Sequence, residues 1–443
     1  MMRYNNYNKV SIEWLHELPS QWKTIQIKQL KEGEDTLFID GDWIESHVIT
    51  DKGIRYLTTG NVGPGYYKEQ GSGFITEETF EKLNCTEVFP GDLIISRLNE
   101  PIGRACIIPD LGYRIVTAVD NVILRPKKPF DIRYLMHLMN SREFSAYTSL
   151  ISRGATMKRI SRGLLGSIKI PFPSGREQAN IASFLDKKTM IIDSILAKKK
   201  QLLILLKEKK EAVINESVTK GLHSSTPMKD SGVNWLGEIP QHWVSLPFRR
   251  ICSLSQGLQI QISERYFDEI ENSFEYITTK SIHNPNDPKQ YILNPNSSVI
   301  CDVDDVLMGR TGNTGEVVTN VKGVFHNNFF KIDFDRSKLN KEFLVNYLNY
   351  TGLQNTILLV AGTTTIPDIN HGAFLELHVT LPPYNEQLEI VKFIKNKTVI
   401  IDRIMEYTKQ LIEKLQNYRQ SLVSEGVTGK IDVRDWHLTT KDV

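Results

Sequence analysis

Two stretches of the chain carry apolar residues at steps that alternate between four and three. From position 181 to 213, and again 209 residues later, fifteen of the twenty positions in this rhythm hold an aliphatic or aromatic residue. Neither Gly nor Pro interrupts residues 177–220 or 386–425. A heptad rhythm of this length predicts a long helix in each stretch, with one apolar face that needs a partner.

We expect each of these helices to be the partner of the other. The segment 219–235 that follows the first helix is short, which favours an antiparallel, intramolecular coiled coil over a parallel one. Two ordinary amphipathic core helices are the alternative. The predicted helix seam consists of Ile181, Leu185, Ile192, Ile195, Leu202, Leu206, Ile390, Ile394, Ile401, Ile404, Leu411 and Leu415.

The segments that precede the two helices have a different pattern. Short β-rich runs, such as residues 93–96, 105–108 and 122–124, are broken by Gly and Pro, and a helical rhythm follows near 131–147 and 340–354. This mixture predicts an α+β fold with two similar mixed α/β globular domains. The predicted divisions are a first domain at 1–176, a central helix at 177–220, a second domain at 221–385, and a C-terminal helix and tail at 386–443.

The chain also repeats its motifs in order. Trp-Leu-His-Glu-Leu-Pro-Ser-Gln-Trp at 14–22 returns as Trp-Leu-Gly-Glu-Ile-Pro-Gln-His-Trp at 235–243. Gly-Asp-Leu-Ile-Ile-Ser-Arg at 91–97 corresponds to Asp-Asp-Val-Leu-Met-Gly-Arg at 304–310, and Glu-Gln at 177–178 returns at 386–387. Repeats in this order indicate two copies of one module, which antiparallel helices would relate by a pseudo-twofold axis.

Composition narrows the class of protein. The 443 residues contain 54 Lys and Arg against 52 Asp and Glu, so a local basic face is compatible with the charge but a polycation is not. The four cysteines lie far apart without a CxxC pair, which argues against a zinc site or a disulfide scaffold. No apolar run reaches 18 residues, so we expect a cytoplasmic protein without a membrane segment and without a metal site.

The motifs that a self-contained enzyme would need are missing. The chain has no GxxxxGK[ST] phosphate loop. Leu-Pro-Pro-Tyr at 381–384 resembles the Asn/Asp-Pro-Pro-Tyr motif of adenine-N6 methyltransferases, but Leu381 cannot accept a hydrogen bond from an adenine amino group. We therefore expect no catalytic residues in this chain.

Binding chemistry is better represented. From Arg153 to Arg176 there are six basic residues and no acidic one, whereas the corresponding stretch 361–385 has no Lys or Arg. Arg and Lys suit phosphates and guanine edges. The basic stretch could also be an ordinary solvated face, and the two strand-end arginines, Arg97 and Arg310, could form structural ion pairs. The candidate DNA-binding residues are Thr58, Thr59, Asn61, Arg97, Arg153, Thr156, Lys158, Arg159, Arg162, Thr278, Thr279, Lys280, Arg310, Asn313, Thr363, Thr364 and Asn370.

Taken in order, these motifs resemble the specificity (S) subunit of type I restriction-modification systems. The resemblance rests on the doubled Trp-x-x-x-x-Pro-x-x-Trp form, the strand-loops that end at Arg97 and Arg310, and the Glu-Gln pair that begins each long helix. It covers nearly the whole chain. One departure is that Gly91 of the first copy is Asp304 in the second.

The resemblance implies two target recognition domains, one for each half of an asymmetric bipartite DNA site, with the helices as a spacer ruler. It implies a non-catalytic subunit whose partners are double-stranded DNA, two methyltransferase (M) subunits and, for cleavage, restriction (R) subunits. S-adenosylmethionine, ATP and Mg would then bind to the partner subunits and no cofactor to this chain. The alternatives are a self-contained DNA adenine methyltransferase or nuclease, and a structural coiled-coil adaptor.

Overall fold

A computed structural model describes residues 3–31, 33, 35–71, 73–126, 130–362 and 367–436. The chain divides into unit 1, which comprises residues 1–199 and 410–443, and unit 2, which comprises residues 200–409. Within the described residues, no helix is long and apolar enough to cross a membrane.

The strands of unit 1 form small sheets. They are β1 (Tyr7–Ile12), β2 (Leu15–Pro19), β3 (Lys23–Gln26), β4 (Leu37–Asp40), β5 (Ile54–Leu57), β6 (Phe74–Ile75), β7 (Leu93–Ser96), β8 (Ala105–Ile107), β9 (Ile115–Thr117), β10 (Asn121–Arg125) and β11 (Lys169–Phe172). An antiparallel sheet has the order β4-β10-β7-β8, and β5 pairs with β9 in parallel.

Unit 2 repeats this arrangement. Its strands are β12 (Met228–Asp230), β13 (Glu238–Pro240), β14 (Val244–Pro247), β15 (Cys252–Gln256), β16 (Ser273–Ile277), β17 (Tyr291–Leu293), β18 (Ile300–Cys301), β19 (Val306–Gly309), β20 (Val317–Thr319), β21 (Gly323–Phe325), β22 (Phe329–Phe334) and β23 (His378–Leu381). The order β15-β22-β19-β20 matches the sheet of unit 1, and β16 pairs with β21 in parallel. The internal repeat predicted from the sequence is confirmed at the level of strand order.

The helices follow the same repeat. They are α1 (Glu77–Lys82), α2 (Ile132–Met139), α3 (Arg142–Ile151), α4 (Arg162–Ser167), α5 (Gly175–Lys220), α6 (Thr279–His283), α7 (Lys341–Leu348), α8 (Thr351–Ala361), α9 (His371–Glu376) and α10 (Tyr384–Val427). Two helices of 46 and 44 residues thus lie where the heptad rhythm predicted them. The fold class is α+β, as expected.

In each unit the two long helices run antiparallel. In unit 1, Asp193 of α5 accepts a 2.8 Å hydrogen bond from Arg419 of α10, while Leu185, earlier in α5, lies against Gly426, later in α10. In unit 2, Lys210 donates to Asp402 at 2.7 Å. Gly221, just past the end of α5, lies against Glu386 at the start of α10. In these contacts the residue number increases along α5 while that of the contacting residue decreases along α10. The two helices therefore run in opposite directions, which confirms the antiparallel coiled coil.

The observed seam differs from the predicted one at one position in each long helix. In α5, Leu185 and Ile192 are buried as predicted, but Leu196 is 8% exposed and Ile195 is 37% exposed. The assignment of Ile195 to the seam is wrong. The buried positions 185, 189, 192 and 196 also alternate four and three, so the rhythm alone could not distinguish Ile195 from its aliphatic neighbour.

The same shift occurs in α10. Ile394 and Ile401 are buried, whereas Ile404 is 42% exposed and Met405 is half-buried in its place. The assignment of Ile404 is therefore also wrong. Of the remaining predicted seam residues, Ile181 and Ile390 are fully buried, and those half-buried are Leu202, Leu206, Leu411 and Leu415.

The doubled Trp and Glu motifs contact each other. In unit 1, the indole of Trp22 donates to Glu177 Oε1 at 2.9 Å, and the Tyr4 hydroxyl donates to the same oxygen at 2.6 Å. In unit 2, the indole of Trp243 donates to Glu386 at 3.1 Å. These charge-assisted hydrogen bonds, buried in unit 1 and partly buried in unit 2, attach the entry segment of each module to the start of its long helix.

The glutamine beside each of these glutamates holds the next helix. Gln178 Oε1 accepts a 3.1 Å hydrogen bond from the backbone N–H of Asp131, which is the N-cap of α2. Gln387 accepts at 2.8 Å from the N–H of Asn340, the N-cap of α7. The repeated Glu-Gln pair is thus a structural joint between the globular part and the long helix.

Candidate nucleic-acid interface

In unit 1, three chain segments meet at the end of β7. The N–H of Arg97 donates to the carbonyl of Asp120 at 2.9 Å, and its carbonyl accepts from the N–H of Ile160 at 3.0 Å. Arg153 and Arg159 exchange two backbone hydrogen bonds of 3.0 and 2.8 Å, which closes the loop between α3 and α4 into a hairpin. The basic stretch is therefore fixed on the strand end by main-chain bonds.

Gly154 allows this hairpin to form. Its φ is +115°, and a Cβ at this position would lie 2.3 Å from the carbonyl oxygen of Met157. Only glycine fits such a backbone without strain. The glycine that the sequence places among the basic residues thus lets the loop turn back on itself.

The meeting point surrounds an open cavity of about 780 Å³. Four of its lining residues are arginines that the sequence singled out. The lining consists of Asp40, Arg97, Val119, Arg153, Gly154, Arg159, Ser161, Arg162 and Gly163. We call these residues the arginine basin.

Arg97 forms the buried floor of the arginine basin. Its guanidinium donates to the carbonyls of Ile160 at 3.1 Å and Val119 at 2.6 Å, and lies 3.1 Å from Asp40. Only 4% of the residue is exposed, and burial lowers the pKa of the guanidinium. The main contacts of Arg97 are therefore structural, which agrees with the alternative that this arginine forms a structural ion pair.

Arg159 and Arg162 are the exposed cations of the basin. Arg159 lies 2.7 Å from Asp120, and Arg162 lies 3.4 Å from Asp40. Their side chains are 47% and 43% exposed. Ion pairs with this exposure contribute little free energy, so both guanidinium groups can turn toward an anionic or base-edge ligand at small cost.

Unit 2 builds the same strand end with other side chains. The N–H of Arg310 donates to the carbonyl of Asn328 at 2.6 Å, and its carbonyl accepts from the N–H of Ile369 at 3.1 Å. These bonds match those of Arg97 with Asp120 and Ile160. We call residues that share such a place in the backbone pattern equivalent.

Equivalent positions carry opposite charges. Arg159 forms a β-bridge with Leu98, the residue after Arg97, and Asp368 forms the same bridge with Thr311, the residue after Arg310. Asp368 therefore occupies in unit 2 the place of Arg159 in unit 1. Two strand ends of the same backbone geometry thus present opposite charges to a ligand.

The first residue of the following short helix also changes. Arg162 begins α4 after the N-cap Ser161, and His371 begins α9 after the N-cap Asn370. Burial lowers the pKa of His371, and nearby Arg310 lowers it further, so both effects favour the neutral imidazole. Asn370, a predicted contact residue, accepts a 2.8 Å hydrogen bond from the N–H of Ala373 as a helix cap.

Asn61 belongs to the scaffold rather than to the interface. It is 1% exposed, and its amide donates to the carbonyls of Lys68 at 3.0 Å and Gln70 at 2.8 Å. Its Oδ1 accepts from the N–H of Thr58. We correct its assignment as a DNA-binding residue, because its polar atoms already have partners inside the fold.

The other candidates of unit 1 lie at the surface outside the lining of the basin. Thr58 is exposed, Thr59 is half-buried, and Thr156 is exposed in the hairpin turn. Lys158 lies 3.2 Å from Glu100 and does not line the basin. The structure thus separates Lys158 from its neighbours Arg159 and Arg162.

Three other candidates of unit 2, Thr278, Lys280 and Asn313, have partners within the fold. Thr278 caps α6 by accepting from the N–H of Ser281, and Thr279 is half-buried. Lys280 lies 3.0 Å from Asp287, and the amide of Asn313 lies 2.9 Å from His283 Nε2. The two predicted residues Thr363 and Thr364 lie outside the described residues.

The residues missed by sequence reasoning are the acidic ones. Asp40 and Asp120 hold basin arginines, and Asp368 replaces one of them. Asp368 could have been found by aligning the two copies at the offset of 209 residues, which pairs it with Arg159.

A family model described as type I restriction modification DNA specificity domain matches residues 19–204 and 261–417. The chain belongs to this family. It is a DNA sequence-specificity subunit and the non-catalytic part of a restriction-modification enzyme. A self-contained methyltransferase or nuclease and a purely structural adaptor are not favoured.

Relatives extend over most of the chain. The type I restriction enzyme MjaVIII specificity subunit of Methanocaldococcus jannaschii is 22% identical over 448 residues, covering 97% of this chain and 98% of the relative. The StySPI specificity subunit of Salmonella potsdam is 24% identical over 339 residues, covering 72% of this chain and 70% of the relative.

Solved structures show the same fold. A chain from a structure of a type I R-M system, determined for its complex assembly and conformational transition, matches with a TM-score of 0.74 and 14% identity. That match covers 94% of this chain and all of the other. The HsdS subunit from Thermoanaerobacter tengcongensis matches with a TM-score of 0.57 and 15% identity, covering 94% of this chain and 98% of HsdS.

Proposed function

We propose that unit 1 and unit 2 of this specificity subunit each recognise one half of an asymmetric, two-part site in double-stranded DNA. The observation that carries this proposal is the equivalence of Arg159 and Asp368. A shared backbone supports a shared way of docking on the duplex, and opposite charges at the same place support different base sequences.

The arginine basin supplies the chemistry for the half-site of unit 1. Arg159 and Arg162 are exposed donors that suit guanine O6 and N7 or a phosphate oxygen. Arg97 below them positions the loop through its carbonyl contacts. Base contacts of this kind specify sequence, whereas phosphate contacts orient the protein on the duplex.

We further propose that the paired helices set the length of DNA between the half-sites. Helix α5 begins in unit 1 and ends in unit 2, and it is 46 residues long without a break. A helix rises about 1.5 Å per residue, so one added heptad is about 10 Å. That length corresponds to roughly three base pairs of DNA.

The outer faces of the helices support two equivalent docking positions for partner subunits. Each long helix exposes three apolar residues at positions that repeat after 209 residues. They are Met190, Ile191 and Ile195 in α5, and Val399, Ile400 and Ile404 in α10. Exposed apolar residues in one patch mark interaction sites, and an equal patch in each unit suits two copies of one partner.

We infer that this partner is the methyltransferase subunit, present in two copies, and that restriction subunits join for cleavage. S-adenosylmethionine, ATP and Mg then bind to those subunits, and catalysis occurs there. A partner that methylates adenine must extrude the base from the duplex, which this chain supports by holding the neighbouring sequence. The complex acts in the cytoplasm, where its DNA lies.

Mapping of modified bases by single-molecule sequencing tests the proposal. Cells that express this chain with its methyltransferase subunit should carry methylated adenines at one bipartite motif with a constant gap. Methylation at a continuous motif, or at no preferred sequence, would contradict the proposed function.

The same assay tests the helices as a spacer. Inserting one heptad into both α5 and α10 should lengthen the gap by about three base pairs while each half-site stays the same. A four-residue insertion is the matched control, since it breaks the heptad register and should reduce assembly instead. An unchanged gap after the heptad insertion would exclude the ruler.

A further inference from the structure

Asp368 is held in place by its neighbours along the chain. The carbonyl of Pro367 accepts a 2.6 Å hydrogen bond from the Thr314 hydroxyl, and the N–H of Ile369 donates to the carbonyl of Arg310. Main-chain and side-chain bonds on both sides thus fix this segment against the end of β19. A side chain held on such a backbone is preorganised for a ligand.

The carboxylate of Asp368 is only partly used within the fold. Its Oδ1 accepts from Arg310 Nε at 2.9 Å and from the Thr311 hydroxyl at 2.6 Å. Its Oδ2 has a single long contact of 3.5 Å to Arg310 Nη2. The side chain is 44% exposed, so Oδ2 can accept a further hydrogen bond from a ligand. Hydrogen bonds from Arg310 and then Thr311 lower the pKa of this carboxyl, which keeps it an ionised acceptor at neutral pH.

Arg310 presents its unused donors beside this acceptor. Asp368 occupies the Nε side of the guanidinium. Among the described residues, no hydrogen bond uses Nη1, and the side chain is 27% exposed. The pair therefore offers a donor at Nη1, a donor at Nη2 and an acceptor at Asp368 Oδ2, in that order along one edge.

A G·C base pair has the complementary order in the major groove. Guanine offers acceptors at N7 and O6, and the cytosine N4 amino donor lies next to O6. An A·T pair instead places its amino donor between two acceptors, which would set thymine O4 or adenine N7 against the carboxylate. A phosphate would also be repelled by Asp368.

We propose that Arg310 and Asp368 together recognise one G·C base pair in the half-site of unit 2, and that Asp368 determines the specificity at that pair. This inference rests on the proposed function. Arg310 contacts the guanine, and Asp368 both orients the guanidinium and accepts from the cytosine amino group. Arg159 at the equivalent place in unit 1 is a donor and cannot make that second contact.

Methylation mapping on a plasmid library tests the inference. The library carries both half-sites randomised, and it is transformed into cells that express the chain with its methyltransferase subunit. The wild-type site should contain an invariant G·C pair, and Asp368→Asn should reduce the preference for that pair by about tenfold. The half-site of unit 1 is the one that changes in an Arg159→Ala variant. That half-site should not change in the Asp368→Asn variant.

The matched control is Glu376→Gln, which removes an ion pair with Arg249 on the surface of the same unit. It should leave the recognised motif unchanged. If Asp368→Asn abolishes methylation, the motif methylated by the Asp368→Glu variant is the test of the inference instead. Recovery of the wild-type motif supports the inference, and no recovery overturns it.

Two further results overturn it. One is an Asp368→Asn variant with unchanged preference at every base pair. The other is a wild-type half-site for unit 2 without an invariant G·C pair. In both cases the chain still directs methylation to a bipartite site, so the proposed function stands. A wild-type chain that directs methylation to no bipartite site would instead refute the proposed function itself.

Discussion

Arg310 Nε donates a 2.9 Å hydrogen bond to Asp368 at the surface of unit 2. The equivalent Arg97 of unit 1 lies buried against Asp40. Strand register makes Gln256 of β15 the equivalent of Asp40 in β4. Unit 2 therefore has an amide, not a carboxylate, at the position that pairs with the buried arginine in unit 1. The repeated arginine is therefore structural in one unit and exposed to a ligand in the other.

This difference predicts unequal effects of the two alanine substitutions on stability. Arg97→Ala should lower the free energy of unfolding by about 2–3 kcal/mol, because it leaves the carbonyls of Val119 and Ile160 without their side-chain donor and removes one of the two cations beside Asp40. Arg310→Ala should cost less than about 1 kcal/mol, since its ion pair is exposed. Urea unfolding of both variants measures this, and equal losses would contradict the assignment of roles.

The lining of the arginine basin predicts that neighbouring basic residues contribute unequally to DNA binding. Replacing Arg159 and Arg162 with Ala should weaken DNA binding by about 1–3 kcal/mol for each base that the variant no longer touches. Lys158→Ala is the matched control, because it changes a neighbouring cation that pairs with Glu100 outside the basin lining, and it should change affinity by less than about 0.5 kcal/mol.

Titration of the assembled complex with its DNA at several salt concentrations separates the kinds of contact. Removal of phosphate contacts would reduce the salt dependence without changing the sequence preference. Equal effects of Lys158→Ala and the double arginine variant would show that the basin is not the contact surface.

The observed helix seam predicts that alanine substitutions at the adjacent residues Ile195 and Leu196 have different effects on stability and assembly. Leu196→Ala should destabilise the protein by about 2–3 kcal/mol, because it removes a buried side chain from the packed seam. Ile195→Ala should cost about 0.5 kcal/mol at most but should weaken assembly with the methyltransferase subunit. Thermal unfolding and analytical ultracentrifugation of the mixed subunits distinguish the two; the reverse pattern would restore the seam predicted from the sequence.

The buried position of Asn61 predicts that its replacement lowers the stability of the protein without changing the DNA sequence that it prefers. Asn61→Ala removes the side-chain hydrogen bonds to the carbonyls of Lys68 and Gln70 and to the N–H of Thr58, at a cost of about 2 kcal/mol. Asn313→Ala, an exposed amide, should be nearly neutral for stability. A methylation motif altered by Asn61→Ala in a chain of normal stability would place this residue at the DNA after all.

The candidate site could be predicted only in part. Arg153, Arg159 and Arg162 were found because a run of cations without acids is a local feature of composition. Their grouping with Arg97 depends on a main-chain bond between residues 97 and 160, which no local pattern reports. The opposing charge at Asp368 is visible in the sequence only once its equivalence to Arg159 is known.

The sequence alone determined the doubled module and the two long helices, because repeats and heptads are encoded in residue spacing along one chain. It also favoured their antiparallel partnership, because the segment 219–235 after the first helix is short. The tertiary structure decided which aliphatic residue of each adjacent pair enters the seam, since Ile195 and Leu196 fit the same rhythm and only the facing helix distinguishes them. It also decided which strand-end arginine is buried, because burial depends on a carboxylate from a distant strand. Contacts between distant segments set these outcomes, and local periodicity contains no information about them.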